Sequence, residues 1–195
     1  GAWGDDTNGD NSGASFVVFG KSNGTAVELS NLDNSNGGFV INGVDSRDGS
    51  GFSVSSSGDV NGDGLADLIV GAPGDLPFFV RNGNGVIGLS ASFVVFGKSN
   101  GTAVELSDIE DGIGGFVING VSADDRSGAT VNSAGDVNGD GLADLIVGAW
   151  GDDTNGDNSG ASFVVFGKTG SAMVELSDIE SGTGGFVING VKAFD

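Results

Sequence analysis

Two identical loops hold most of the side chains in this sequence that could do chemistry. In "DVNGDGLAD" the oxygen-bearing side chains stand at the first, third, fifth and ninth places: Asp59, Asn61, Asp63 and Asp67, and again Asp136, Asn138, Asp140 and Asp144. Leu65 and Leu142, at the seventh place, would offer a backbone carbonyl. This spacing lets a tightly turning backbone aim several oxygens at one centre, and Gly62 and Gly64 accept the positive φ angles such a turn demands. Oxygen ligands with no nitrogen or sulfur point to calcium, whose shell of six to eight ligands tolerates an irregular cage better than the octahedron of magnesium does. Three carboxylates brought together repel one another, so the loop is expected to be ordered by the cation that offsets them. The plainer alternative is a solvated Asx-and-glycine turn.

Little else in the chain offers reactive groups. There is no histidine, cysteine or tyrosine, and the clustered carboxylates are committed to the loops, so neither a nucleophile–base pair nor a poised acid pair can be assembled. The expectation is that the protein is not an enzyme. Seven basic against 27 acidic residues give a formal charge of −20, which repels nucleic acid and anionic membrane surfaces and attracts cations. No apolar run approaches the roughly 20 residues that span a bilayer, so no membrane insertion is expected. A second acidic stretch, "GDDTNGD" at Gly4 and Gly151, reads as a wet turn, with a peripheral cation site on Asp152, Asn155 and Asp157 as the alternative. The Asn-Gly-Thr sequons at Asn23 and Asn100 read as turns copied with the repeat. Trp3, Trp150, Phe78 and Phe79 are candidates to line a ligand surface, although packing is the commoner role for such residues.

The elements that must position the loops come from a repeat. "SFVVFGK" returns at Ser15, Ser92 and Ser162, and "GGFVINGV" at Gly37, Gly114 and Gly184. Gly1 to Lys21 is copied letter for letter at Gly148 to Lys168, which places the first residues part-way through a unit. A period of this length exceeds solenoid repeats and suits a four-stranded unit with loops. Within one unit the expected strands are Phe52 to Ser57, Asp67 to Ala72, Ser92 to Phe96 and Gly115 to Asn119. Along "SFVVF", Phe93 and Val95 point one way while Val94 and Phe96 point the other, so both faces are apolar. A small antiparallel sheet covered on both faces describes a propeller blade better than a sandwich sheet with one wet side. The fold class expected is therefore all-β, a β-propeller segment of four-stranded antiparallel blades. Two blades are complete (45–121 and 122–191), one is split (1–44), and 192–195 begins a further unit. "SDIE" at Ser107 and Ser177 has the form of a capping box, which predicts one helical turn after the third strand.

EF-hand and dockerin loops share the Asp-x-Asn-x-Asp-Gly opening but need an acidic residue at the twelfth place, where this chain has Val70 or Val147 inside a β-type run. "GFSVSSSGDVNGDGLADLIVGAP" at Gly51 to Pro73 and "GATVNSAGDVNGDGLADLIVGAW" at Gly128 to Trp150 instead resemble the FG-GAP repeat of integrin alpha-subunit propellers and their bacterial relatives. In that family the acidic loop joins the first two strands of a blade and holds calcium. Departures from the pattern are Trp3 and Trp150 in place of proline, and Ala129 in place of Phe52. The resemblance implies a non-catalytic, calcium-binding propeller segment, secreted or at the cell surface, serving adhesion or surface and matrix assembly with a protein or glycan partner. Continuation into further repeats, or self-association through open blade edges, is expected with it. The alternatives are the non-catalytic part of a larger secreted hydrolase and a carbohydrate-binding module. An aromatic platform in every unit would mark the last of these, and the middle unit has no tryptophan.

Overall fold

The computed structural model describes residues 1–32, 37–74 and 90–194. Twelve strands lie in the described residues, in three sheets. The first sheet is built on β1 (Ala14–Val18) and β2 (Gly38–Asn42). The middle sheet is formed by β3 (Ser53–Gly58), β4 (Asp67–Ala72), β5 (Ala91–Val95) and β7 (Gly115–Asn119). The last is formed by β8 (Thr130–Gly135), β9 (Asp144–Ala149), β10 (Ala161–Val165) and β12 (Gly185–Asn189). Each sheet is an antiparallel meander of propeller-blade type, and the first contains only the third and fourth strands of such a blade. The fold is all-β with propeller-like blades.

Two-sided burial follows from the strand alternation. On β5, Phe93 and Val95 enter the apolar cluster shared with the first sheet, while Val94 enters the one shared with the last sheet. Phe39, Ile41, Leu106 and Ile109 also belong to the first cluster, and Phe116, Ile118, Leu145, Val147 and Phe163 to the second. Core therefore lies between blades, which makes each blade's stability depend on its neighbour. Close approach at these junctions explains one glycine: a Cβ on Gly71 of β4 would stand 2.0 Å from the Gly128 carbonyl oxygen of the next unit. The first strands of the two full blades, β3 and β8, run side by side. Ser55 Oγ donates to Asn132 Oδ1 (2.7 Å), and Val131 N donates to Ser53 Oγ (3.0 Å).

Two features differ from the sequence reading. The connection from third to fourth strand is not a simple loop, because β6 (Val104–Glu105) crosses to pair in parallel with β2 of the preceding sheet. β11 (Val174–Glu175) pairs in the same way with β7. A two-residue strand on a neighbour's edge has no periodicity of its own to betray it. The helical turns follow directly as α1 (Leu106–Glu110) and α2 (Leu176–Glu180), but the capping boxes do not form. Ser107 and Ser177 lie inside the first turn, and the N-cap residues are Glu105 and Glu175, with no side-chain cap bond. Those glutamates are extended strand residues, and their carboxylates accept hydrogen bonds from Asn42 and Asn119 of the preceding sheet. The end of a strand, not a serine, sets the start of each helix.

Candidate metal centre

Both acidic loops turn between the first two strands of a blade, β3 to β4 and β8 to β9. Gly62 and Gly64 have φ of 80° and 87°, and Gly139 and Gly141 have φ of 78° and 93°, the left-handed region the turn requires. Asp59 is the hub of its loop: Oδ1 accepts from the N–H groups of Gly62 (2.7 Å) and Asp63 (3.0 Å), and Oδ2 from Gly64 (2.9 Å). Asn61 Oδ1 accepts from Asp63 N (2.8 Å), and Asp63 Oδ1 accepts from Leu65 N (2.8 Å). Asn61 Nδ2 donates to Asp63 Oδ2 (3.0 Å). Asp136, Asn138, Asp140 and Leu142 repeat every one of these bonds. Successive backbone N–H groups thus face the carboxylates, an attraction that the sequence reading, counting only mutual repulsion, left out.

Asp67 and Asp144 differ from the other ligand candidates in being wholly buried. Asp67 Oδ2 accepts from Val60 N (2.8 Å) and Oδ1 from Gly97 N (2.7 Å), so one carboxylate ties the loop to the turn after β5. Asp144 does the same with Val137 N (2.7 Å) and Gly167 N (2.8 Å). Burial pushes the Asp67 carboxyl above its ordinary value; the Gly97 and Val60 N–H bonds oppose that rise, and the charge of Asp63 adds to it. The loops also touch each other. Asp59 O accepts from Ala143 N (3.0 Å), Val60 O accepts from Lys168 N (3.0 Å), and the Val60 side chain is buried in the cluster between the two full blades.

Gly97 and Gly167 escaped the sequence reading as parts of this centre. A Cβ on Gly97 would stand 2.6 Å from the Ala66 carbonyl oxygen, and one on Gly167 2.6 Å from that of Ala143. The glycine that follows "SFVVF" in every copy was the available signal.

The donor set fits a hard divalent cation by type, since it is oxygen throughout and each carboxylate oxygen with a single N–H bond keeps a free lone pair. Among the described residues no group of three or more acidic side chains stands together as a metal-holding cluster. In the second acidic stretch, Asp152 and Asn155 are engaged in separate hydrogen bonds. Asp152 Oδ1 accepts from Thr154 N (3.0 Å), and Asn155 Nδ2 donates to Gly190 O (2.7 Å), clipping the end of β12. Asn8 makes the same clip to Gly43 O (2.7 Å). Asn23 and Asn100 each accept from the N–H and hydroxyl of the threonine two residues on. Trp3 and Trp150 are exposed, and Phe78 and Phe79 lie outside the described residues.

The family model of the FG-GAP repeat matches residues 50–88 and 128–165, and both matches contain an acidic loop with its flanking strands. The chain carries two FG-GAP repeats. The two repeats are consistent with an FG-GAP protein of the integrin-alpha-like propeller type. No curated protein matches the chain. Among the described residues no helix is long and apolar enough to cross a membrane.

Proposed function

We propose that this chain is a non-catalytic, calcium-binding propeller segment that works outside the cell, in adhesion or in surface or matrix assembly with a protein or glycan partner. The observation that carries the reading is the pair of FG-GAP loops, identical in sequence and matched in the hydrogen bonds to Asp59 and Asp136, at the same corner of successive blades. Asp59, Asn61, Asp63, Asp67 and the Leu65 carbonyl would hold one ion, and the matching five residues of the second loop another. The cation would supply the charge that offsets three carboxylates. Extracellular modules of this chemistry hold calcium with dissociation constants of about 0.1 to 1 mM, which suits a medium rich in calcium.

Calorimetric titration of the protein with calcium tests the reading. Two sites are expected, with Asp63→Ala and Asp140→Ala each removing one. At 1 mM calcium, mass action then adds roughly 0.4 to 1.4 kcal/mol of stability per site. A titration without heat, together with a melting curve indifferent to chelator, overturns the reading.

A further inference from the structure

The chain builds the same junction twice. Between the first and middle sheets, Val104–Glu105 pairs with Ile41–Asn42, Asn42 Nδ2 donates to Glu105 Oε1 (2.7 Å), and Lys98 Nζ lies 4.6 Å above the Phe39 ring. Between the middle and last sheets, Val174–Glu175 pairs with Ile118–Asn119, Asn119 Nδ2 donates to Glu175 Oε1 (2.8 Å), and Lys168 Nζ lies 4.2 Å above the Phe116 ring. In both, one unit extends a Lys and a Val-Glu-Leu segment, and the unit before it receives them on the Phe-Val-Ile-Asn of its fourth strand.

Each half of this junction recurs alone. Lys21 to Ser30 is identical to Lys98 to Ser107, yet no strand edge among the described residues receives it, and Leu29 is 46 % exposed where Leu106 is 0 %. At the other end, β12 repeats the receiving strand, with Phe186 and Ile188 exposed at 39 % and 52 % where Phe116 and Ile118 are at 0 %. Among the described residues no side chain bonds the Asn189 amide. Beside Leu29, a cavity of about 570 Å³ is lined by Phe16 and Val40 of the first sheet. These are the repeat counterparts of Phe93 and Val117, against which Phe39 and Ile41 pack in the existing junction.

We propose that a second copy of the chain docks here head to tail. Val27–Glu28 of one copy pairs in parallel with Ile188–Asn189 of the other, Leu29 is buried as Leu106 is, and Lys21 covers Phe186. Phe186 and Ile188 fill the cavity beside Phe16 and Val40. A second copy fits as the occupant because the interface continues one that the chain already forms twice with the same residues. Because the two surfaces differ, the contact is heterologous and propagates into rings or filaments instead of stopping at a symmetric dimer. The inference stands on these junctions and not on the calcium reading.

Sedimentation velocity over roughly 1 to 100 µM protein, with and without calcium, tests it. The unaltered chain is expected to form a concentration-dependent series of oligomers, and Leu29→Asp and Ile188→Asp are each expected to be monomeric. Both residues are exposed in the single chain, and circular dichroism checks that each variant is folded. An equimolar mixture of the two variants keeps one intact junction and is expected to stop at a heterodimer. The protein lacks cysteine, so Val27→Cys mixed with Ile188→Cys gives a second readout: a disulfide-linked pair under oxidation if those residues lie opposite one another. An unaltered chain that stays monomeric throughout overturns the proposal. So do single variants that still assemble, or a mixture that neither dimerises nor cross-links.

Discussion

At the scale of the residue, Asp67 and Asp144 combine two demands in one side chain. As ligand candidates they must stay charged, and as buried staples each must accept two backbone N–H bonds from separate segments. Removing such a carboxylate leaves two backbone donors unpaired, at roughly 1–3 kcal/mol each, so Asp67→Ala is expected to lower stability by about 2–6 kcal/mol even in chelator. Asp63→Ala, on the exposed side of the loop, is expected to cost under about 1 kcal/mol there. Denaturant unfolding of both variants checks the contrast, and equal losses would remove the staple role. A different carboxylate sets a pH dependence. Burial, aided by the charges of Asp152, Asp153 and Glu180, raises the Asp125 pKa from 3.8 to about 6, against an opposing hydrogen bond from the Ser122 backbone. Between those values the folded chain holds a proton that the unfolded chain has released, so stability falls as pH rises through that window. The contribution is fully present below pH 3.8 and gone above about 6. Melting temperatures of the wild type relative to Asp125→Asn should therefore drop from pH 4 to pH 6.5. A flat difference would show that Asp125 ionises normally.

At the scale of the element, the strands were legible because their side chains alternate between two apolar clusters, a pattern read directly from "SFVVF" and "GFVIN". Asp67 to Ala72 and Gly115 to Asn119 have their predicted bounds, and β3 and β5 are shifted by one residue. The parallel detours through Val104–Glu105 and Val174–Glu175 were not legible, because what makes them strands is the edge of another blade. The loop was legible as a set of oxygens, but its tie to Gly97 was not, since that bond joins segments 30 residues apart. Three glycines in one repeated context now separate local sequence from tertiary surroundings. Gly97 and Gly167 stand against loop carbonyls, whereas a Cβ on Gly20 would meet nothing within 4 Å. Gly97→Ala and Gly167→Ala are expected to destabilise by about 1–3 kcal/mol, and Gly20→Ala to be neutral or slightly stabilising. Equal effects at all three would mean that the repeat itself, and not the packed loop, requires glycine.

At the scale of the whole molecule, stability is shared along a line, because among the described residues each sheet packs against the sheets beside it. The middle sheet has both faces covered. The last is covered on the face that carries Leu145, Val147 and Phe163, while Phe186 and Ile188 lie on the other. Local opening of β12 should therefore expose less newly wetted surface than opening of β7, although the two strands share the sequence "GFVIN". Hydrogen exchange turns this into a comparison within one molecule, in which intrinsic rates cancel because the five residues are the same. The measurement belongs on the Leu29→Asp variant, which blocks docking of a second copy without altering β12. Amides of Val187 to Asn189 are expected to exchange at least tenfold faster than those of Val117 to Asn119, a difference of about 1.4 kcal/mol in opening free energy. In the unaltered chain at high concentration, protection of β12 should rise toward that of β7. Equal protection of the two strands in the blocked variant would show that one covered face suffices, and that the blades are stabilised chiefly by their own hydrogen bonds.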